Sequence, residues 1–265
     1  MSIPGVNVML MGAPGTGKTH SLRTLAESGI ETSIVFTEPG MEVLGDTDKD
    51  LIHWKYIPPA QPGFASLIKT FTQINTLSND ALQKLPGIEK KQYSQAVDVL
   101  NSLANFKCER CGKELGDVTE WGTDKAIVLD SLTGLNIMLL DLAVGAKPLK
   151  TLPDWGVAMD QEERLINLLT LGTKAHFVLA AHLERQVDEV MGGMRLLPQA
   201  LGRKMGPALP RFFSDVILTE RQGTSWTWST AKTSADTKAR NVEWKDGFNP
   251  SFVPLINHWK QQTGD

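Results

Sequence analysis

Short apolar runs bounded by turn residues recur along the chain: Val6–Met11, Ser33–Phe36, Ala126–Leu129, Phe177–Ala181 and Val216–Leu218. Runs of this length mark buried strands. Leu51–Ile57 is more mixed and reads as an exposed or edge strand, and Trp226–Ser229 completes the strand candidates. Between them the period becomes helical. Phe64, Leu67, Ile68, Phe71 and Ile74 share one helical face, as do Tyr93, Ala96, Val97, Leu100 and Leu103. A helix runs from the first strand's loop to about Glu27, where Gly29 stops it; an apolar helix begins near Leu132, and an amphipathic one covers roughly Val157–Leu171. Phe252–Lys260 is a final segment that docks on the core or on a neighbour. Strands alternating with helices predict an α/β fold, with a mostly parallel sheet covered on both faces. No repeat, long linker or low-complexity tract divides the chain, so residues 1–265 are read as one domain with an insertion at about 81–122.

The first strand runs into Gly12-Ala13-Pro14-Gly15-Thr16-Gly17-Lys18-Thr19, the full G-x4-G-K-[ST] pattern in its strand–loop–helix setting. Glycines let successive backbone N–H groups turn inward around phosphates, and the following helix adds its positive end. Lys18 reaches the β- and γ-phosphates, the Thr19 hydroxyl is a magnesium ligand, and Pro14, Thr16 and His20 complete the ATP seat. The strand Ala126–Leu129 ends in Asp130, where a carboxylate holds the same Mg2+ beside Thr19. A solvated strand-end aspartate is the blander reading; downstream of a P-loop, the metal role is favoured.

Hydrolysis also needs a group that orients or deprotonates water. Many P-loop ATPases carry a glutamate directly after the magnesium aspartate, but Ser131 stands there. Glu38, just beyond the second strand, is the candidate base, against the alternative of a loop glutamate opening the turn Glu38-Pro39-Gly40. His182, at the end of Phe177–Ala181, is placed to sense the γ-phosphate and pass its state to the next loop.

Charge changes the picture only locally. The whole chain carries −3, so it has no general attraction to nucleic acid, yet Met191–Phe213 holds Arg195, Arg203, Lys204 and Arg211 and no acidic residue. Glycines at 192, 193, 202 and 206 read as flexibility, and a basic, flexible loop suits a phosphate backbone. The apolar stretch Leu132–Val144 is too short to span a bilayer, and no secretory leader is read at the start, which points to the cytoplasm.

Taken together, these motifs resemble the RecA/KaiC-type ATPase core, and most closely the phage-encoded minimal RecA-like ATPases of the single-strand annealing (Sak-four) type. The resemblance rests on the P-loop, Glu38, Leu129-Asp130-Ser131 and Ala180-Ala181-His182. It implies a RecA-like P-loop fold, DNA-stimulated ATP hydrolysis, and binding of single-stranded DNA by the loop after His182 during annealing or recombination. It also implies a ring or filament with ATP between subunits, reached in trans by cations such as Lys232, Lys238 and Arg240. A single-strand-binding protein is a further expected partner. RecA-type proteins usually place glutamine where this chain has His182.

Cys108 and Cys111 look like half of a zinc knuckle. Tetrahedral zinc needs four ligands, no second Cys-x-x-Cys exists, and the five histidines form no supporting pair in sequence. The favoured reading is therefore a reduced surface turn. The seven tryptophans read as core or contact residues before base-stacking platforms. Two other functions compete with DNA annealing. One is a small-molecule kinase with Arg195, Arg203 and Arg211 in a lid; the other is a nucleotide-gated binding module such as a helicase loader.

Overall fold

The computed structural model describes residues 3–85, 90–187 and 192–264. In chain order these form β1 (Asn7–Gly12), α1 (Lys18–Ser21), α2 (Arg23–Glu27), β2 (Glu31–Phe36), β3 (Ile52–Tyr56), α3 (Phe64–Thr76), α4 (Asn79–Gln83), α5 (Gln95–Ala104), β4 (Phe106–Lys107) and β5 (Glu114–Gly116). They continue with β6 (Lys125–Asp130), α6 (Leu132–Val144), α7 (Leu152–Leu171), β7 (His176–Ala181), β8 (Leu183–Val187), β9 (Met194–Pro198), α8 (Gly202–Ala208), β10 (Asp215–Gln222), β11 (Ser225–Ser229) and α9 (Val253–Thr263).

A seven-stranded sheet of order β11-β10-β1-β7-β6-β2-β3 forms the centre. Its strands are parallel except β11, which returns antiparallel along β10. Strand side chains alternate between two cores, as a sheet buried on both faces requires. Met9, Met11, Val35, Ile127, Leu129, Phe177 and Leu179 face the core built with α5, α6, α7 and α8. Val8, Leu10, Ile34, Phe36, Val128 and Val178 face the core built with α2 and α9. The expected α/β architecture is therefore present, and the expected edge strand lies at the edge as β3.

Two expectations need correction, and a third is narrowed to one of its alternatives. The basic segment after His182 is not a flexible loop: Leu183–Val187 and Met194–Pro198 pair as an antiparallel hairpin, and α8 follows. Met191, at the start of that expected loop, lies outside the described residues, as do residues 86–89 of the expected insertion. The helix expected from Val157 begins earlier, at Leu152, where Thr151 and Asp154 form a capping box with Pro153 in the first turn. The final segment docks on the chain's own core, burying Leu255, Ile256 and Trp259, whose Nε1–H donates to the Pro4 carbonyl at 3.1 Å.

By contrast, α3 buries none of its residues. Phe64, Ile68 and Phe71 on its apolar stripe are 84%, 64% and 66% exposed. Among the described residues no helix is long and apolar enough to cross a membrane.

Candidate functional site

Parallel strands deliver their C-terminal ends to one rim of the sheet, where crevices for ligands form. Here that rim carries Gly12 after β1, Thr37 and Glu38 after β2, Asp130 at the end of β6, His182 after β7 and Thr219 on β10. A cleft of about 520 Å³ opens among them, lined by the P-loop from Pro14 to His20 with Glu38, Asp130, His182 and Trp226. Side chains drawn from positions more than 200 residues apart thus meet because the strand order brings β10, β1, β7, β6 and β2 side by side.

Within the loop, Gly17 sits at φ 84°, a conformation that a side chain would strain, and it starts α1. The Lys18 ammonium donates to the carbonyls of Gly12 (2.7 Å) and Ala13 (3.0 Å), which holds it at the centre of the loop. Burial lowers its pKa to about 8, against the opposing pull of Asp130 and Glu38. Thr19 Oγ1 donates to Asp130 Oδ2 at 2.6 Å. That hydroxyl–carboxylate pair is the hard oxygen donor set that Mg2+ prefers, so both predicted magnesium ligands fit the ion. Burial raises the pKa of Asp130, the Thr19 hydroxyl and Lys18 working the other way.

Glu38 and His182 meet: the His182 Nε2–H donates to Glu38 Oε2 at 3.0 Å. This bond, partly offset by burial and helped by Ser131 and Lys18, holds the Glu38 carboxyl below its ordinary range and therefore ionised at neutral pH. His182 Nδ1 is buried and has no partner among the described residues. The His182 carbonyl accepts from the Gln199 N–H at 2.8 Å, which ties the residue to the open base of the β8–β9 hairpin, beside the Leu183–Pro198 pair. Glu38 is thus anchored to His182, and His182 to the basic segment.

Sequence reasoning missed four residues that shape this cleft. Thr37 Oγ1 donates to the Ser131 carbonyl (2.7 Å) and accepts from the Ser131 N–H (2.9 Å), locking the tips of β2 and β6 together. Gly134, in the first turn of α6, allows that approach, since a Cβ there would overlap Thr37. Thr219 bonds Thr16 through their hydroxyls at 2.7 Å and bolsters the loop from β10. Trp226 Nε1–H donates to the Gly15 carbonyl at 3.1 Å, and its half-exposed ring lies 5.2 Å from that of His20. Its aromatic type was the one available signal; the other three are ordinary residues whose roles come only from the fold.

The remaining candidates are dispersed. Arg195 is paired with Asp236 (2.6 Å) and Arg211 with Glu163 (2.5 Å), while Arg203 and Lys204 lie exposed on α8. Lys232 lies 3.5 Å from Glu220 at the β11 edge of the sheet. Lys238 donates to the Phe213 carbonyl at 2.6 Å, and the Arg240 N–H to Asp215 at 2.7 Å. Both therefore sit by the start of β10, the end of that strand away from the P-loop. Cys108 and Cys111 are free thiols on the turn between β4 and β5, and the structure sets His53 of β3 beside them.

The sequence profile of the AAA domain family matches residues 5–241. No curated protein matches the chain in sequence. Among solved structures, the chain is similar to a prototypical ATPase from the type III secretion system of pathogenic bacteria, at 12% identity and TM-score 0.42, over 82% of this chain and 53% of that one. It is similar to the flagellar accessory protein FlaH from Methanocaldococcus jannaschii at 13% identity and TM-score 0.36, over 85% and 77%. It is also similar to the assembled ATPase EscN from the enteropathogenic E. coli type III secretion system, at 12% identity and TM-score 0.38, over 82% and 43%. The chain spans about half the length of the two secretion-system ATPases.

Proposed function

The chain belongs to the AAA domain family and is an ATP-binding P-loop ATPase; we propose that it couples hydrolysis to work on single-stranded DNA, in annealing or recombination. The whole of residues 1–265 acts in this reading as one ATPase domain. The observation that carries it is the chain of contacts from Glu38 to His182 to the β8–β9 hairpin. An ionised Glu38 beside Lys18 and Asp130 is placed to orient the attacking water, and His182 holds that carboxylate. Mg2+, held by Thr19 and Asp130, would neutralise charge on the phosphates. A change of contact at His182 on hydrolysis is carried directly into the hairpin and α8, where Arg203 and Lys204 are open to a phosphate backbone.

The DNA itself enters from the resemblance to the phage-encoded minimal RecA-like annealing ATPases. Of the four cations of the segment after His182, Arg203 and Lys204 carry the contact, because Arg195 and Arg211 already have carboxylate partners. The working form is a homo-oligomer. The uncovered apolar stripe of α3 supports this, and Lys232 at the β11 edge is the best placed of the late cations to meet a neighbour.

Steady-state ATP hydrolysis with and without single-stranded DNA, on wild type and on the double variant Arg203→Ala/Lys204→Ala, tests the proposal. DNA is expected to stimulate the wild type severalfold and to lose most of that effect on the variant, whose basal rate stays unchanged. Hydrolysis indifferent to DNA overturns the DNA reading. Phosphorylation of a small acceptor would replace it with the kinase, and tight ATP binding with little turnover would replace it with a nucleotide-gated module.

A further inference from the structure

We propose that His53, Cys108 and Cys111 bind a zinc ion at the outer edge of the sheet, distant from the ATP cleft. Their ligand atoms all lie within 4.8 Å of one another. Cys111 Sγ lies 3.4 Å from His53 Nδ1. Zinc at its usual bond lengths to sulfur and nitrogen, in tetrahedral geometry, sets such atoms about 3.6 Å apart. Two thiolates and an imidazole are soft to borderline ligands that select zinc over magnesium or calcium, and two thiolates balance its charge.

The imidazole is oriented for this task. His53 is fully buried on β3, and its other nitrogen, Nε2, faces Glu31 Oε1 at 3.1 Å. Glu31 is itself held by Lys113 and by Lys125, the latter at 2.5 Å. A carboxylate there takes the Nε2 proton as a hydrogen bond and leaves the Nδ1 lone pair facing the sulfurs, the arrangement found behind metal-bound histidines.

The cysteine turn is also held in place without the metal. Cys108 N–H donates to the Lys113 carbonyl (2.9 Å) and Gly112 N–H to the Cys108 carbonyl (3.0 Å), which closes the turn. Glu109 N–H donates to the Trp54 carbonyl at 2.8 Å, so the turn pairs with edge strand β3. The Arg110 guanidinium lies 4.6 Å from the Trp54 ring centre and donates to the carbonyls of Gly45 and Thr47. The three ligands are therefore brought together before a metal arrives. Cys108 is buried and Cys111 exposed, so solvent supplies the fourth ligand on the Cys111 side. Zinc here would fasten the turn to β3 and cover an edge strand that otherwise invites pairing with other chains.

The test uses the full chain purified under reducing conditions. Elemental analysis should find about one zinc per chain, and replacement by cobalt should give a thiolate-to-cobalt charge-transfer band. Cys111→Ser, at an exposed position, should remain folded by circular dichroism and bind zinc at least tenfold more weakly, and Glu31→Ala should weaken binding about 10–100-fold. A folded wild type that takes up neither zinc nor cobalt overturns the proposal, as does a folded Cys111→Ser that holds zinc as tightly as wild type. Should Cys111→Ser not fold, the wild-type cobalt spectrum decides alone.

Discussion

The ATP cleft and the His53–Cys108–Cys111 cluster occupy different parts of one sheet and were assembled in opposite ways. The cleft is nucleated by eight consecutive residues, Gly12–Thr19, whose chemistry is complete in local sequence. Strand ends then add Glu38, Asp130 and His182 to it. The cluster has no such nucleus: its Cys-x-x-Cys is half a site, and the third ligand comes from a strand 55 residues earlier in the chain. One region buries a cation against the cost of desolvation; the other gathers neutral or balanced ligands at a sheet edge. The difference teaches that a contiguous motif announces its function, whereas a constellation becomes visible only when the strand order is known.

If the two regions are independent, each can be disabled alone, and the largest expected effect is at the cleft. Lys18→Ala should lower kcat at least 10²–10³-fold, as loss of a cation aimed at transition-state charge does, while zinc content stays at the wild-type value. Steady-state hydrolysis and elemental analysis on the same preparation check this; a fall in both would show that the regions are coupled.

A second, intermediate effect follows from the Lys18 ammonium. Its pKa in the free protein is about 8, against 10.5 unburied, so it is largely charged at pH 7 and largely neutral by pH 9. Bound phosphates favour the charged form and raise that pKa again, so binding above pH 8 must take up a proton. ATP affinity should be flat below about pH 7 and fall by up to about tenfold per pH unit above pH 8. Calorimetry in two buffers of different ionisation enthalpy reads the proton directly. Lys18→Arg, which does not titrate in this range, should remove the fall; a wild-type affinity flat to pH 10 would contradict the burial argument.

The smallest effect concerns support from a distance. Thr219→Val removes the hydroxyl that bonds Thr16 at 2.7 Å. A net hydrogen bond of about 1 kcal/mol corresponds to a loss of about fivefold in ATP affinity. Equilibrium titration of Trp226 fluorescence, whose indole touches the loop, measures it; unchanged affinity would remove Thr219 from the site.

These outcomes also bear on how much could be read in advance. Buried strands and the P-loop were legible because a parallel strand is nearly all apolar and because the phosphate loop is contiguous. The positions of Glu38, Asp130 and His182 in the cleft were legible because each stands at, or within two residues of, the end of such a strand. Thr37, Gly134 and Thr219 were not, since a threonine or glycine acquires a role only from the neighbour that the sheet supplies. The pairing after His182 is not legible for a physical reason: the glycines of the segment suggest freedom, while the pairing of Leu183–Val187 with Met194–Pro198 uses backbone groups that carry no residue signature. His53 carries no such signal, because no second histidine stands near it in sequence and its partners lie in a turn that folds back over β3.

The central claim is that Glu38, held ionised by His182, activates water for ATP hydrolysis. Glu38→Gln keeps the shape and the hydrogen-bonding reach but removes the charge. The decisive measurement is single-turnover ATP hydrolysis on this variant beside an equilibrium measurement of ATP binding. The account predicts turnover reduced at least about 10²-fold, the scale of a lost general base, with ATP affinity within a few-fold of wild type. Hydrolysis at the wild-type rate by a variant that binds ATP normally would contradict it and place the catalytic group elsewhere in the cleft.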